Sequence, residues 1–168
     1  MGCRVLTCRT SGNMTEQLGF NLPSRAALGR DAFFVAPTNA MALAMIEGWQ
    51  AWAGSKLALT GPAGAGKTHL THVWADMANA QIIAAPEISD DMVPDLAQHN
   101  VAVEDVPLIA DNPAAQTALF HLHNLVLAEG HSLLLTGEPS VQHWGITLPD
   151  LKSRLQGTTA VALEPPDD

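Results

Sequence analysis

The chain predicts an α/β fold in which a mainly parallel sheet of five strands carries helices on both faces. Three observations lead there. Short apolar segments alternate with longer segments of helical spacing along most of the sequence. The octapeptide Gly61 to Thr68, Gly-Pro-Ala-Gly-Ala-Gly-Lys-Thr, stands between the first of those strands and a helix. A length of 168 residues with 47% hydrophobic content suits one domain with its own core.

Taken in order, Thr38 to Trp52 opens with a capping residue and continues with apolar residues at helical spacing until Gly54, which predicts a helix ahead of the sheet. Lys56-Leu57-Ala58-Leu59-Thr60 reads as a short buried strand, and Lys67 to Asn79 as the helix after the glycine-rich loop. Gln81 to Ala84 is a second strand closed by Pro86, followed by a helix over Ser89 to His99. Val101-Ala102-Val103-Glu104-Asp105 is an apolar strand ending in two acids. Pro113 to Gly130, with proline in its first turn and glycine at its end, predicts the longest helix. His131 to Thr136 holds Leu133-Leu134-Leu135 and predicts a fourth strand, Leu148 to Leu155 a short helix, and Thr158 to Leu163 the last strand before Pro165-Pro166. Repeats and low-complexity tracts are absent from the sequence.

Eight Lys and Arg against seventeen Asp and Glu give a net charge of -9. Binding to a nucleic-acid backbone rests on basic surface that releases counterions, so direct sequence-specific DNA binding is not expected. No apolar run approaches the length of a membrane span, no membrane association is expected, and the expected location is the cytoplasm. Cys3 and Cys8 lack neighbouring Cys or His partners and make a poor zinc site. Residues 1–13 contain arginine but neither an acid nor the apolar stretch of a secretory signal, and are expected to be a disordered tail or, because Met14 opens a segment of different character, a mis-started N-terminus. Residues 14–30 are expected to be a flexible segment and 31–165 the folded core.

Gly61, Gly64 and Gly66 let the backbone turn tightly enough for consecutive N–H groups to face a phosphate, and the helix beginning near Lys67 adds the positive end of its dipole. In such a P-loop Lys67 reaches the β and γ oxygens and the Thr68 hydroxyl holds Mg2+. The whole stretch of Gly61, Pro62, Ala63, Gly64, Ala65, Gly66, Lys67 and Thr68, with His69 behind it, is therefore the candidate site for ATP or ADP. A plain glycine-rich turn accounts for neither the Lys-Thr pair nor its place at a helix start.

An apolar strand that delivers an acid beside a phosphate loop serves the water shell of Mg2+, and a following acid can activate the attacking water. The order here is Glu104 then Asp105, where Asp-Glu or Asp-Asp suits hydrolysis better. Glu104 is expected to join Thr68 around the metal, Asp105 to fall short of the water, and intrinsic ATPase activity to be weak or absent; two acids ending a strand in solvent are the plainer reading. Glu138 follows the fourth strand, from where a side chain can sense a γ-phosphate, although a surface turn has the same composition. Arg154 lies on a short helix, either as a solvated charge or as a guanidinium reaching a neighbouring subunit's nucleotide. His69 and His72, and likewise His121 and His123, have no third ligand in view and read as structural.

Together these pieces resemble the AAA+ core of the DnaA family and, within it, the Hda branch of replication regulators that lack the family's DNA-binding domain. The resemblance runs from about Gln17 to Pro165. It is carried by Gly66-Lys67-Thr68-His69-Leu70 running into His72, Val101 to Asp105, Leu119-Phe120-His121-Leu122-His123-Asn124, Leu134-Leu135-Thr136-Gly137-Glu138 and Leu148-Pro149-Asp150-Leu151-Lys152-Ser153-Arg154-Leu155. It implies a P-loop NTPase of AAA+ type, with Arg154 as arginine finger and Glu138 at the first sensor position. Phe34-Val35-Ala36-Pro37-Thr38-Asn39 resembles the adenine-side segment, which implies Pro37 and Asn39 beside the base. Gln17-Leu18-Gly19-Phe20-Asn21-Leu22 resembles the peptide with which that branch docks on the DNA polymerase sliding clamp, Leu18, Phe20 and Leu22 entering an apolar groove and Gln17 making polar contacts; a tail packed on its own domain is the other reading.

Two departures stand out. Nothing basic or helical follows Pro165, where DnaA carries a helix-turn-helix domain, and the chain stops at Asp168, where the family's helical lid with its second sensor arginine begins. The lid is expected to be absent, through truncation or as an open nucleotide site. The implied function is that of a nucleotide-binding regulator of replication initiation, docked on the clamp and stimulating ATP hydrolysis by DnaA through Arg154, with homo-oligomerisation left open. The alternatives are a self-sufficient ATPase of helicase-loader type using Glu104 or Asp105, and a small-molecule P-loop kinase, against which stand the lack of an Arg-rich acceptor lid and the position of Arg154.

Overall fold

The computed structural model describes residues 39–62, 65–138 and 140–164. Five strands, β1 (Lys56–Thr60), β2 (Gln81–Ala84), β3 (Val101–Glu104), β4 (Leu133–Gly137) and β5 (Ala160–Ala162), form one sheet in the order β2-β3-β4-β1-β5, every pairing parallel. The helices are α1 (Ala40–Glu47), α2 (Lys67–Ala78), α3 (Val93–Leu96), α4 (Pro113–Ala128) and α5 (Pro149–Gln156). The expected fold class is the observed one.

The alternation of side chains along each strand divides the core in two. Leu57 and Leu59 of β1, with Ala102 and Leu134, pack against Ala42 and Ile46 of α1 and Leu70, Val73 and Trp74 of α2. Ala58, Val101, Val103, Leu133 and Leu135 face the other way, against Leu119, Leu122 and Val126 of α4 and Leu151 and Leu155 of α5. β1 thus feeds a helix on one face while its neighbour β4 feeds a helix on the other. Where such connections diverge, the strand ends leave a crevice, and in open α/β sheets that crevice receives ligands.

Several boundaries differ from expectation for local reasons. The helix expected over Thr38 to Trp52 stops at Glu47, where the Gly48 N–H caps Ala44 O at 3.0 Å. Two 3-10 turns follow and fold Trp52 onto Trp74, ring centroids 5.3 Å apart, and Trp49 edge-on to the same ring at 6.2 Å. The helix expected over Ser89 to His99 is reduced to a 3-10 turn, Asp90–Met92, and the single turn of α3, because Pro94 lacks the N–H that a longer helix needs. β3 ends at Glu104 rather than Asp105, and β5 is shorter than Thr158 to Leu163, although Ala58 N–H to Thr159 O (2.9 Å) and Leu163 N–H to Thr60 O (2.7 Å) extend its pairing on both sides.

Candidate functional site

The C-terminal ends of β1, β4 and β5 meet at the cleft beside the loop that leaves β1. Gly61 has φ 140°, and a Cβ there would sit 2.5 Å from Leu163 O, so only glycine lets the loop pass this close to the chain after β5. Ala63 and Gly64 lie outside the described residues. Beyond them the buried Ala65 donates its N–H to Pro62 O at 3.2 Å, and Gly66, at φ 104°, turns the chain into α2. The first-turn N–H groups of α2 therefore open at the end of β1. Lys67 lies across this mouth, its ammonium donating to Gly61 O at 2.6 Å and Pro62 O at 3.0 Å. A positive charge on a short tether, a helix N-terminus and a glycine-lined turn are the donor set a phosphate chain requires.

Thr68 is exposed in the first turn of α2, and His69 behind it is half-buried. Glu138 follows β4 and is exposed; with Thr60, Gly61, Pro62, Ser140 and Ala162 it lines a cleft of about 520 Å3 beside the loop. The structure thus places Glu138 in one cleft with the start of the phosphate loop, together with Ser140, which carries no motif of its own.

Glu104 closes β3, half-buried, in register with Ala84. Burial raises its carboxyl above the ordinary range, the neighbouring Asp105 pushes it the same way, and His72 on α2 pulls it back. Asp105 leaves the strand in the left-handed region, φ 61° and ψ 46°, with an exposed side chain. Aspartate tolerates this conformation better than most residues. Its N–H donates to the Oγ1 of buried Thr136 in β4 at 3.2 Å, which ties the tips of β3 and β4 together. Next to it, a Cβ on Gly137 would meet Pro107 at 2.5 Å and Trp144 at 2.8 Å. Among the described residues no three His, Cys, Asp or Glu side chains cluster as a metal cage. Mg2+ commonly binds through one or two carboxylates together with substrate phosphates, and Thr68 and Glu104 are of the donor types that mode uses.

Asn39 is buried and fully engaged: its amide donates to Glu164 O at 3.2 Å and accepts from Glu164 N–H at 3.1 Å. It clasps the start of α1 to the chain after β5. Pro37 lies outside the described residues, as do Gln17, Leu18, Phe20 and Leu22.

Arg154 lies at the other end of the molecule from this cleft. Its side chain is exposed on α5, and its carbonyl accepts from Lys56 Nζ at 3.1 Å at the first residue of β1, whereas the phosphate loop leaves the last. Between the tip of β3 and the start of α5 lies a residue that the sequence reading missed. Buried Gln116 of α4 donates to Ile109 O and Ala110 O, each at 2.9 Å, and accepts from Thr147 N–H at 3.1 Å and Leu148 N–H at 2.9 Å. It braces the turn that follows Asp105 against the chain entering α5.

No protein-family model matches the chain. Among solved structures it is similar to domain III of the Thermotoga maritima replication initiation protein DnaA (TM-score 0.69, 22% identity, 82% of this chain and 67% of that one). AMPPCP-bound DnaA from Aquifex aeolicus gives a TM-score of 0.67 at 22% identity, over 80% of this chain and 49% of that one. A DNA replication initiation factor gives 0.68 at 22% identity, over 80% and 48%. The chain spans about half the length of the last two. These likenesses show that the chain shares the fold of DnaA domain III.

Proposed function

We propose that the chain is a nucleotide-binding regulator of DNA replication initiation. In this reading it holds ATP or ADP with Mg2+ at the phosphate loop, docks on the sliding clamp through Gln17, Leu18, Phe20 and Leu22, and stimulates ATP hydrolysis by DnaA with Arg154 acting in trans. The observation that carries it is the separation of Arg154 from the molecule's own loop. With a rise of ~3.3 Å per residue the two ends of β1 are roughly 13 Å apart, a separation that supports a role for the Arg154 guanidinium away from its own phosphate loop. The DnaA-like fold supports a role in replication initiation, and the AMPPCP bound by two similar DnaA structures supports nucleotide binding here.

Lys67, the first N–H groups of α2 and the close backbone at Gly61 would hold the phosphates, with Thr68 and Glu104 toward Mg2+, which when bound neutralises phosphate charge. Glu138 would sense the terminal phosphate from the cleft wall. Arg154 would supply positive charge where negative charge develops on the partner's transferring γ-phosphate, a contribution of roughly three to five orders of magnitude in rate in systems that use an arginine finger. Self-sufficient turnover is less well supported: Asp105 leaves the strand in the left-handed region with an exposed side chain.

The test is ATP turnover by DnaA–ATP with clamp and DNA, with this chain or its Arg154→Ala form added. Acceleration that the variant lacks is expected. Steady turnover by the isolated chain, or equal acceleration by the variant, would replace this reading with the self-sufficient ATPase. Clamp docking is tested separately: Leu18→Ala with Phe20→Ala should abolish clamp affinity, and unchanged affinity removes that part of the proposal.

A further inference from the structure

At the end of the sheet away from the phosphate loop, Lys56 of β1, His123 of α4 and Arg154 of α5 meet. Lys56 Nζ lies 2.9 Å from His123 Nε2 and 3.1 Å from Arg154 O; His123 Nδ1 lies 2.9 Å from Asn124 Oδ1. The chemistry of these groups fixes the direction of every bond. An ammonium only donates, so Nε2 must be the accepting nitrogen, and the proton sits on Nδ1, which donates to Asn124. His123 is therefore neutral and locked in one tautomer, with its ring 3% exposed.

The Arg154 carbonyl is one of the last four of α5, which have no partner inside a helix. It receives two donors, Lys56 Nζ and, at 2.9 Å, Thr158 Oγ1. Both its lone pairs are thereby occupied, and the last turn of α5 is fixed at the residue whose side chain matters. A cation at this helix terminus also suits the dipole. The Lys56 ammonium, seated between His123 and the Arg154 carbonyl, is close enough for the Arg154 charge to act on it. Like charges keep the two apart.

We propose that Lys56 and His123 are positioning residues for Arg154: the Lys56 ammonium, seated on the neutral His123 imidazole, pins the Arg154 carbonyl and repels its guanidinium outward toward the partner's nucleotide. The inference rests on the trans-acting role of Arg154 argued above, and deepens it. Burial is the first cause that lowers both Lys56 and His123 from their ordinary titration ranges, and the charge of Arg154 lowers both further, which agrees with the three groups sharing one site. The groups that face His123 are Lys56 from β1, Asn124 from its own helix and Arg154 from α5.

Two measurements on the full chain decide it. Nitrogen-15 NMR of the imidazoles should give the Nδ1–H tautomer for His123, and Lys56→Met should raise the pH at which His123 titrates and increase side-chain motion at the Arg154 Nε–H. An Nε2–H tautomer, or an Arg154 signal indifferent to Lys56→Met, overturns the pairing. In the DnaA–ATP assay Lys56→Met should lower the stimulated kcat by about tenfold to a hundredfold, the usual penalty for a misplaced catalytic group, while the concentration of chain giving half-stimulation stays within about twofold. Lys56→Arg, which keeps a donor and a charge, should restore most of the rate. A rise in half-stimulating concentration with kcat unchanged assigns Lys56 to partner binding and overturns the positioning role. If the unmodified chain stimulates nothing, the trans-acting reading fails, while the NMR measurements still decide whether Lys56 and His123 hold Arg154.

Discussion

The two ends of the sheet are built by different means. At the C-terminal ends of the strands the candidate nucleotide site is shaped by backbone, with Gly61 pressed on Leu163, Gly66 turning into α2 and helix N–H groups open at the mouth, and carries the Lys67 ammonium across it. At the opposite end, around Lys56, His123 and Arg154, side chains make the bonds and the backbone is only their acceptor. The first end offers donors suited to phosphate; the second gathers the side chains of Lys56, His123 and Arg154. The contrast teaches that a phosphate site can be written in a single short segment, whereas an oriented arginine needs residues from three elements.

The largest expected effect separates the two ends outright. Lys67→Ala should weaken nucleotide affinity by roughly tenfold to a hundredfold, the equivalent of one charge-assisted hydrogen bond, in equilibrium binding of a fluorescent ATP analogue. Arg154→Ala should leave that affinity unchanged and abolish stimulation of DnaA. If Arg154→Ala also loses nucleotide, the guanidinium serves its own site and the comparison collapses.

Gln116 spans the middle, and its removal should act on stability first. Gln116→Met leaves two carbonyls and two N–H groups without their buried partner, at about 1–3 kcal/mol for each group that water cannot reach. A total near 3 kcal/mol lowers Tm by roughly 6–12 °C for a chain of this size. A Tm within two degrees of the parent, measured by calorimetry, would falsify the brace.

Gly61→Ala should be milder and confined to the nucleotide end. The added methyl meets Leu163 O at 2.5 Å, and overpacking of this kind costs about 1–3 kcal/mol. Because β5 is an edge strand it yields first, so the Leu163 amide, which donates to Thr60 O, should lose protection from hydrogen exchange while amides of β3 keep theirs. Uniform loss across the sheet would count against a local clash.

These differences also explain what the sequence disclosed. The five strands, the phosphate loop and the crevice beside it rest on signals written within a few residues: apolar runs, glycines, Lys67-Thr68 at a helix start. The paired acids were visible too, but not the departure of Asp105 from β3, where the chain's route is set by the contact of its N–H with Thr136, 31 residues away. Gln116 looks like any polar residue on a helix until its partners from two loops are known. His123 carried a signal that went unused: it falls on the same helical face as Leu119 and Val126, so a buried histidine was legible there, while its bond to Lys56, 67 residues distant, was not. Trp49 and Trp52 ended the first helix early for a similar reason, since their burial against Trp74 outweighs local spacing.

The smallest effect is a pair of slopes in stability against pH, and they have opposite signs at the two ends. His123 titrates below its ordinary value in the folded chain because of burial, so between its folded titration and about pH 6.5 the unfolded chain binds more protons. Its contribution is complete above pH 6.5 and is lost as pH falls through that window. Glu104 titrates above its ordinary value, again through burial, so the folded chain binds more protons in the window that begins near pH 4.5, and stability falls there as pH rises. Chemical denaturation across pH 4 to 8 should therefore carry two opposing contributions, a loss of stability with rising pH from Glu104 and a gain from His123. His123→Gln should remove the gain and Glu104→Gln the loss, each leaving the other in place. One substitution that removes both would mean that the two ends of the sheet titrate as a coupled unit, and the separation drawn between them would have to be abandoned.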